Sequence, residues 1–462
     1  MLPDSIPYLT DAGNVLGDTL QLLARGRAQH GDLFAIRREG PIFSRAAECV
    51  GVVAAFGIDN QRTVLSDIES FSLPISAAEN MKLPKNLINL NRSLHSMRGA
   101  EHATQKRLLI GMLNSMEPLH QSVWSALEGA TAKWATEPIN LVSRMRELIL
   151  HTSLGALFGE GLADTLQLAM LLQTYFHLRR EATSEGGCAN REIVAELVEM
   201  GNVLDSELRL FIRSCRSSSA VSPGVLSTLA RDFRLTDDEI VGHMNVFFIS
   251  TTEPVAIALS WILLMLSQLP ELRVELRNEL RETLDGAAPS AAGMNKLVLL
   301  DRVINETMRV LPPNALMVRI TTKPAPLNGV LLPARCEVVL SPFISHRDET
   351  SFPRANDFSP DRWRGTAPSS YIYFPFGAGG HSCVGRSIAI DIVKTVLAFL
   401  FPRFTLLLAG NQEIDSAIRI QFLPRPDPRV SFHPVCSPDL PKPGAITGPL
   451  AKLLNLPNKV AA

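Results

Sequence analysis

The stretch from Thr236 to Pro270 is largely apolar, with Glu253 and Pro254 set side by side in its middle, inside FFISTTEPVAIALSW. Thr236-Asp237-Asp238-Glu239 has the form of a capping box and Pro270 is a stop, so a single helix of some thirty residues is predicted. A proline inside such a helix removes a backbone hydrogen bond and costs about 3 kcal/mol, so the broken turn calls for a local use. Apolar positions recur at helical spacing elsewhere, as at Leu272, Leu276 and Leu280, and LVLLDRVINETMRVL continues in helical spacing until Pro312-Pro313. GAAPSAAGMN between these two helices reads as a loop. Strand-like runs follow at Leu316 to Thr322 and Glu337 to Leu340. Residues 345–380 show little periodicity and many Gly, Pro, Ser and Asp, and a long irregular passage in a compact domain is usually functional if ordered. An apolar helix is predicted again from Val384 to Phe401. Beyond Ser437 the prolines 438, 441, 443 and 449 suggest an appended tail.

These elements predict a mainly α protein with small β-sheets, an α+β chain with one large domain over 1–435 and a Pro-rich tail over 436–462. No internal repeat is present, and no Gly/Ser linker or charge block splits the 462 residues. With 45 basic against 46 acidic side chains there is no reason to expect nucleic acid as a partner. The first 26 residues are broken by Asp4, Asp11, Asp18 and Arg25, so neither a signal-peptide core nor a membrane anchor is predicted and a cytoplasmic monomer is expected. Six scattered cysteines argue against a disulfide framework and a CxxC zinc site. Any cysteine with chemistry works alone or on a cofactor.

Cys383 is the one placed for chemistry, because YFPFGAGGHSCVGRSIAIDIV delivers it from a glycine-rich loop to the start of a helix. Close backbone amides and the positive end of a helix both favour thiolate over thiol. The sulfur is then a nucleophile, with His381 two residues away as base, or a metal ligand.

Phe376-Gly377-x-Gly379-x-x-x-Cys383-x-Gly385 resembles the haem-binding loop of the cytochromes P450, the haem-thiolate monooxygenases. At average residue usage, five such fixed positions arise by chance about once in ten thousand chains of this length. Glu306-Thr307-Met308-Arg309 is similar to the family's ExxR helix and Phe358 to Trp363 to its PxRF/W segment, both in family order, and the resemblance spans about 30–435. It implies a fold built around a buried haem b (iron protoporphyrin IX), with the sulfur of Cys383 on the iron and Phe376 and Gly377 in the loop beneath. It implies a structural triad of Glu306, Arg309 and Arg362. It sets His102 and Lys106, in SMRGAEHATQKRL, and Arg319 and His381 at the haem propionates; arginine is commoner in the family where Lys106 stands.

A thiolate on iron favours O–O cleavage over reversible binding. The resemblance therefore implies insertion of one oxygen atom from O2 into a small or medium apolar organic substrate. The chain has no GxGxxG nucleotide loop and no room for a flavin domain, so the electrons come from a separate ferredoxin or reductase. In the family the long central helix carries (A/G)-G-x-(D/E)-T over the haem. Here Ser250 and Thr251 stand at the small positions, Glu253 at the acid and Pro254 where the threonine belongs. Proline has no donor, so protons must travel through Glu253 with Ser250 or Thr251. Two alternatives follow from that departure: a peroxide-using or isomerase/coupling-type haem-thiolate enzyme, and a non-catalytic haem or ligand carrier. The resemblance assigns specificity to residues 73–90, 175–190 and 314–317 and to the central helix. These are apolar apart from Arg179, Arg180, Glu181 and Glu185, with Lys82 and Lys85 as loop lysines that could meet a carboxylate.

Overall fold

The central helix forms as its caps predict, over Asp237–Ser267. The Thr236 hydroxyl accepts from the Glu239 amide, and the Glu239 carboxylate accepts from the Thr236 amide. Its 31 residues give a rod about 46 Å long, and the helix runs unbroken through Pro254. From Val255 to Ser267 every residue is buried, and Trp261 donates to the Phe422 carbonyl at 2.8 Å. By length and composition this helix could cross a membrane, but most of it is covered by protein. Near its start Gly242 lies so close to the helix Lys85–Asn91 and its end that an added Cβ would sit 2.0 Å from the Arg92 carbonyl oxygen. Only glycine fits that crossing.

A computed structural model describes residues 1–9, 19–43, 48–74, 83–116, 119–132, 134, 136–159, 165–183, 190–218, 223–284, 286–418, 421–437 and 440–455. Helices dominate, as expected, and the strands form small sheets. The largest runs in the order Leu33–Arg37, Gly51–Ala55, Cys336–Leu340, Met317–Thr321, Phe71–Ser72, with a single parallel pairing, Gly51 opposite Cys336. The two strands predicted near 316–322 and 337–340 are neighbours there, and Arg319 faces Val338 across the pair.

Three sequence expectations are corrected. The loop predicted at 286–295 contains one helical turn, Ala291–Met294, because the Ser290 hydroxyl caps it by accepting from the Gly293 amide. The helix predicted from Val384 starts two residues later, as Arg386–Leu400. The described chain beyond Ser437 is not a loose tail. Ile446–Thr447 pairs in parallel with Gln412–Glu413, and Ile446, Leu450 and Leu454 are buried in the main core. Those three positions, four apart, were hidden among prolines, one of which opens the short helix Pro449–Leu453.

Candidate active site

Beneath the expected haem face, the helix Val298–Val310 carries Glu306 and Arg309 three residues apart, both fully buried. Arg309 uses all five of its N–H donors. Two go to the Glu306 carboxylate (2.8 and 2.9 Å) and the others to the carbonyls of His346 (2.9 Å), Ala355 (2.7 Å) and Asp357 (3.0 Å). Glu306 in turn also accepts from Arg362 Nε (3.2 Å), the Ser359 amide (2.8 Å) and Trp363 Nε1 (3.0 Å). Arg362 reaches on to the carbonyls of Pro353 and Arg354. One ion pair thus pins the irregular passage through its own backbone. The sequence flagged the three charged residues; Trp363 stood in the quoted segment without a role.

His346 joins this knot to the cysteine loop. Its Nε2 accepts from the Phe374 amide at 3.0 Å, so the ring proton sits on Nδ1 and points at the Arg309 carbonyl, 3.3 Å away. Complete burial pushes its pKa down to about 3, which keeps this bridging ring neutral.

The loop itself turns at Gly377 and Gly379, both with positive φ. Gly379 has no alternative, since a Cβ there would lie 2.0 Å from the Leu65 carbonyl oxygen. The Cys383 amide donates to the Phe376 carbonyl at 2.9 Å, and the Arg386 guanidinium lies 5.5 Å from the Phe376 ring centre. Cys383 keeps exposed surface while protein surrounds it, so its sulfur faces an interior space. Burial pushes the thiol up, partly offset by the Gly385 amide, Lys106 and Arg386. The low-pKa cysteine expected from the loop and helix end is therefore corrected for the protein alone: desolvation outweighs them.

Around this loop lies a basic group of residues. His102, on the helix Gly99–Asn114, is buried with no partner for Nδ1 among the described residues, and its ring meets that of His381 edge-on at 4.4 Å. Arg319 is buried, spends Nη1 on the Val318 carbonyl and among the described residues has no partner for Nε. Burial pulls its pKa to about 10, so it stays charged at neutral pH. His381 is pushed down to about 3 by burial and by the neighbouring Arg319, His102, Arg98 and Lys106. Burial and the charges of Arg179, Arg319, His102 and Arg98 also hold His95 below its usual value. No carboxylate is among these causes. Charges and orphaned donors gathered this way fit a ligand with two anionic groups, which is what the haem propionates are. Lys106 is placed differently from the expectation. Its ammonium gives its three donors to Gly380 O (2.6 Å), Ser382 O (2.9 Å) and Ser382 Oγ (3.0 Å), making it a strut for the loop. Arg98 and His95 were missed, although Arg98 lies in the quoted segment.

On the central helix, Ser250 is exposed and Thr251 to Pro254 are half-buried, in contrast to the buried run that follows. Thr252 spends its hydroxyl on the Phe248 carbonyl at 3.0 Å. Among the described residues the hydroxyls of Ser250 and Thr251 make no hydrogen bond. Glu253 is gripped by the fork of Arg146, from the helix Leu141–Phe158, with Nε 3.0 Å from both carboxylate oxygens and Nη2 on Oε1. No local signal in the sequence pairs these two, which stand 107 residues apart.

The family model for cytochrome P450 matches residues 211–431. Cyclooctatin synthase of Streptomyces melanosporofaciens is 28% identical over 66% of this chain and 71% of its own length. Cyclooctat-9-en-7-ol 5-monooxygenase of the same organism is 25% identical over 69% and 73%. The chain belongs to the cytochrome P450 family. Pentalenene oxygenase of Streptomyces avermitilis is 32% identical to this P450 over 39% of the chain and 41% of its own. The fold is that of a retinoic acid-bound cyanobacterial CYP120A1, with a TM-score of 0.75, 19% identity, and coverage of 94% of this chain and 100% of that one. This P450 is an oxidoreductase, a haem- and iron-binding monooxygenase that acts on an organic substrate with electrons from a redox partner.

Proposed function

We propose that this chain inserts one oxygen atom into a small or medium apolar substrate in the cytoplasm, with electrons from a separate ferredoxin or reductase. The observation that carries the reading is the middle of the central helix, where Glu253 is held by Arg146 beside two uncommitted hydroxyls. Haem b, when bound with Cys383 as its thiolate ligand, supplies the oxygen-activating chemistry. Arg319, Arg98, His102 and His381 hold its propionates, while Glu306, Arg309 and Arg362 keep the loop beneath it in place. Glu253 takes a proton from solvent at a carboxylate oxygen and the hydroxyls of Ser250 and Thr251 pass it inward. Pro254 contributes no donor, and its missing amide leaves the Ser250 carbonyl as an acceptor for water or a substrate hydroxyl. The names of two relatives, which carry an alkenol and an alkene, support a substrate of low polarity.

Glu253→Gln is expected to lower kcat by about a hundredfold, the low end for a general acid–base group. Arg146→Gln lowers it less, because a carboxylate without its guanidinium still carries protons. Substrate-binding spectra stay unchanged in both, and unaltered turnover in Glu253→Gln removes this residue from the relay. In Pro254→Thr, hydrogen peroxide release per NAD(P)H consumed falls or stays level. A sharp rise in release instead makes the proline part of a dedicated relay. The same proline supports a second reading, in which peroxide is the oxidant. Turnover with peroxide alone, and none with a ferredoxin and its reductase, selects it.

A further inference from the structure

The helix Thr165–Ala182 ends with Arg179, whose guanidinium is half-buried and enclosed by protein. Of its five donors the described residues take one, Nη1 to Asn91 Oδ1 at 2.8 Å, and no carboxylate among those residues pairs with it. Asn91 is itself fixed, donating to the Leu87 carbonyl at 2.7 Å and the buried Tyr175 hydroxyl at 2.9 Å, so the fork is aimed. Arg179 lies close enough to His95 for its charge to lower that ring's pKa, and His95 keeps exposed surface although protein encloses it and therefore lines an interior space. A bland reading exists, since an arginine in a last helical turn complements the helix dipole. That reading asks only for a solvated head. This one is partly desolvated, which pulls its pKa down, and a charge drawn from solvent with no counter-ion among the described residues is costly.

Charge balance says what is missing. The two propionates of a haem offset Arg319 and Arg98, and Lys106 lies beside the Cys383 sulfur. Among the described residues Arg179 is left with a single positive charge that no carboxylate offsets, its guanidinium lying 5.9 Å from the Phe176 ring centre. One monoanionic group meets it, and a planar carboxylate matches a guanidinium fork better than a phosphate, whose second charge has no partner here. We propose that Arg179, aimed by Asn91, docks the carboxylate of an otherwise apolar substrate. This rests on the monooxygenase reading and narrows its substrate class. It also moves the carboxylate contact away from the loop lysines, because Lys85 is exposed and Lys82, like Glu185, lies outside the described residues.

The test is a set of binding titrations on the holoenzyme, read by the Soret shift, with matched acid and alcohol pairs: dodecanoic acid with dodecanol, and retinoic acid with retinol. The wild type is expected to prefer the acid in at least one pair, on the order of ten- to a hundredfold, the worth of a charge-assisted hydrogen bond. Arg179→Gln brings that ratio close to one while alcohol affinity stays within about twofold, and Arg179→Lys keeps part of the preference. The proposal is overturned if no pair shows an acid preference, if Arg179→Gln weakens acid and alcohol alike, or if that variant loses haem, which makes Arg179 a propionate partner. The reduced carbonyl spectrum of the same samples separates these outcomes from failure of the monooxygenase reading, since that failure removes the thiolate band itself.

Discussion

Glu306→Ala is expected to leave little or no folded, haem-loaded protein. The carboxylate accepts five hydrogen bonds, from Arg309 Nε and Nη2, Arg362 Nε, Trp363 Nε1 and the Ser359 amide, and its side chain is fully buried. Removing one partner of a buried ion pair costs about 3–5 kcal/mol, against a total stability of about 5–15 kcal/mol for a typical protein. Here the loss spreads, because Arg309 without its counter-ion is a bare buried cation still holding three carbonyls. Glu306→Gln keeps the shape but turns an NH2 group towards a ring of donors, so it falls between wild type and alanine. A paired Glu306→Met, Arg309→Met variant tests whether the pair matters as ions or as a scaffold. Buried ion pairs elsewhere are often replaced by apolar residues without loss. In this protein the carbonyls of His346, Ala355 and Asp357 would lose their donor, so the double variant should be no more stable than Glu306→Ala. Urea denaturation gives the ordering, and a double variant that recovers wild-type stability sinks the scaffold role.

The sequence made the proximal side legible because its constraints are local. Gly379 has to be glycine where the Leu65 carbonyl approaches, and Glu306 and Arg309 sit one turn apart on a single helix, so short motifs record both. The central helix was equally plain, since a capping box and a proline stop are neighbours of the residues they cap. What escaped was long-range or competitive. The grip of Arg146 on Glu253 joins two helices whose periodicity says nothing about each other. By position Lys106 reads as an anion partner, but two nearby carbonyls and the Ser382 hydroxyl take all its donors. The thiolate expectation for Cys383 weighed the helix end and glycine amides without the burial that opposes them. In the sequence Arg179 is only a charge in an apolar region; that no described carboxylate pairs with it shows only once its neighbours are known.

In Cys383→Ala the fold should survive while turnover vanishes, the opposite of the outcome at Glu306. The loop around the cysteine is tied by its backbone: the Cys383 amide reaches the Phe376 carbonyl, Lys106 holds Gly380 and Ser382, and Gly379 packs against Leu65. The sulfur contributes to none of these contacts, and trimming one exposed atom creates no buried cavity. The unfolding free energy of the unloaded protein, from urea denaturation, is therefore expected within about 0.5 kcal/mol of wild type, the usual range for such a substitution. Arg319, Arg98, His102 and His381 are untouched, so a share of the haem is retained through its propionates. What disappears is the electron-rich sulfur, and with it the red-shifted Soret band of the reduced carbonyl complex and all oxygen insertion. A variant that keeps that band places the iron on another residue. One that unfolds makes the sulfur a structural element. A variant that folds, binds haem and oxidises nothing leaves Cys383 as the ligand on which the chemistry depends, and shows that the loop is built to present it without relying on it.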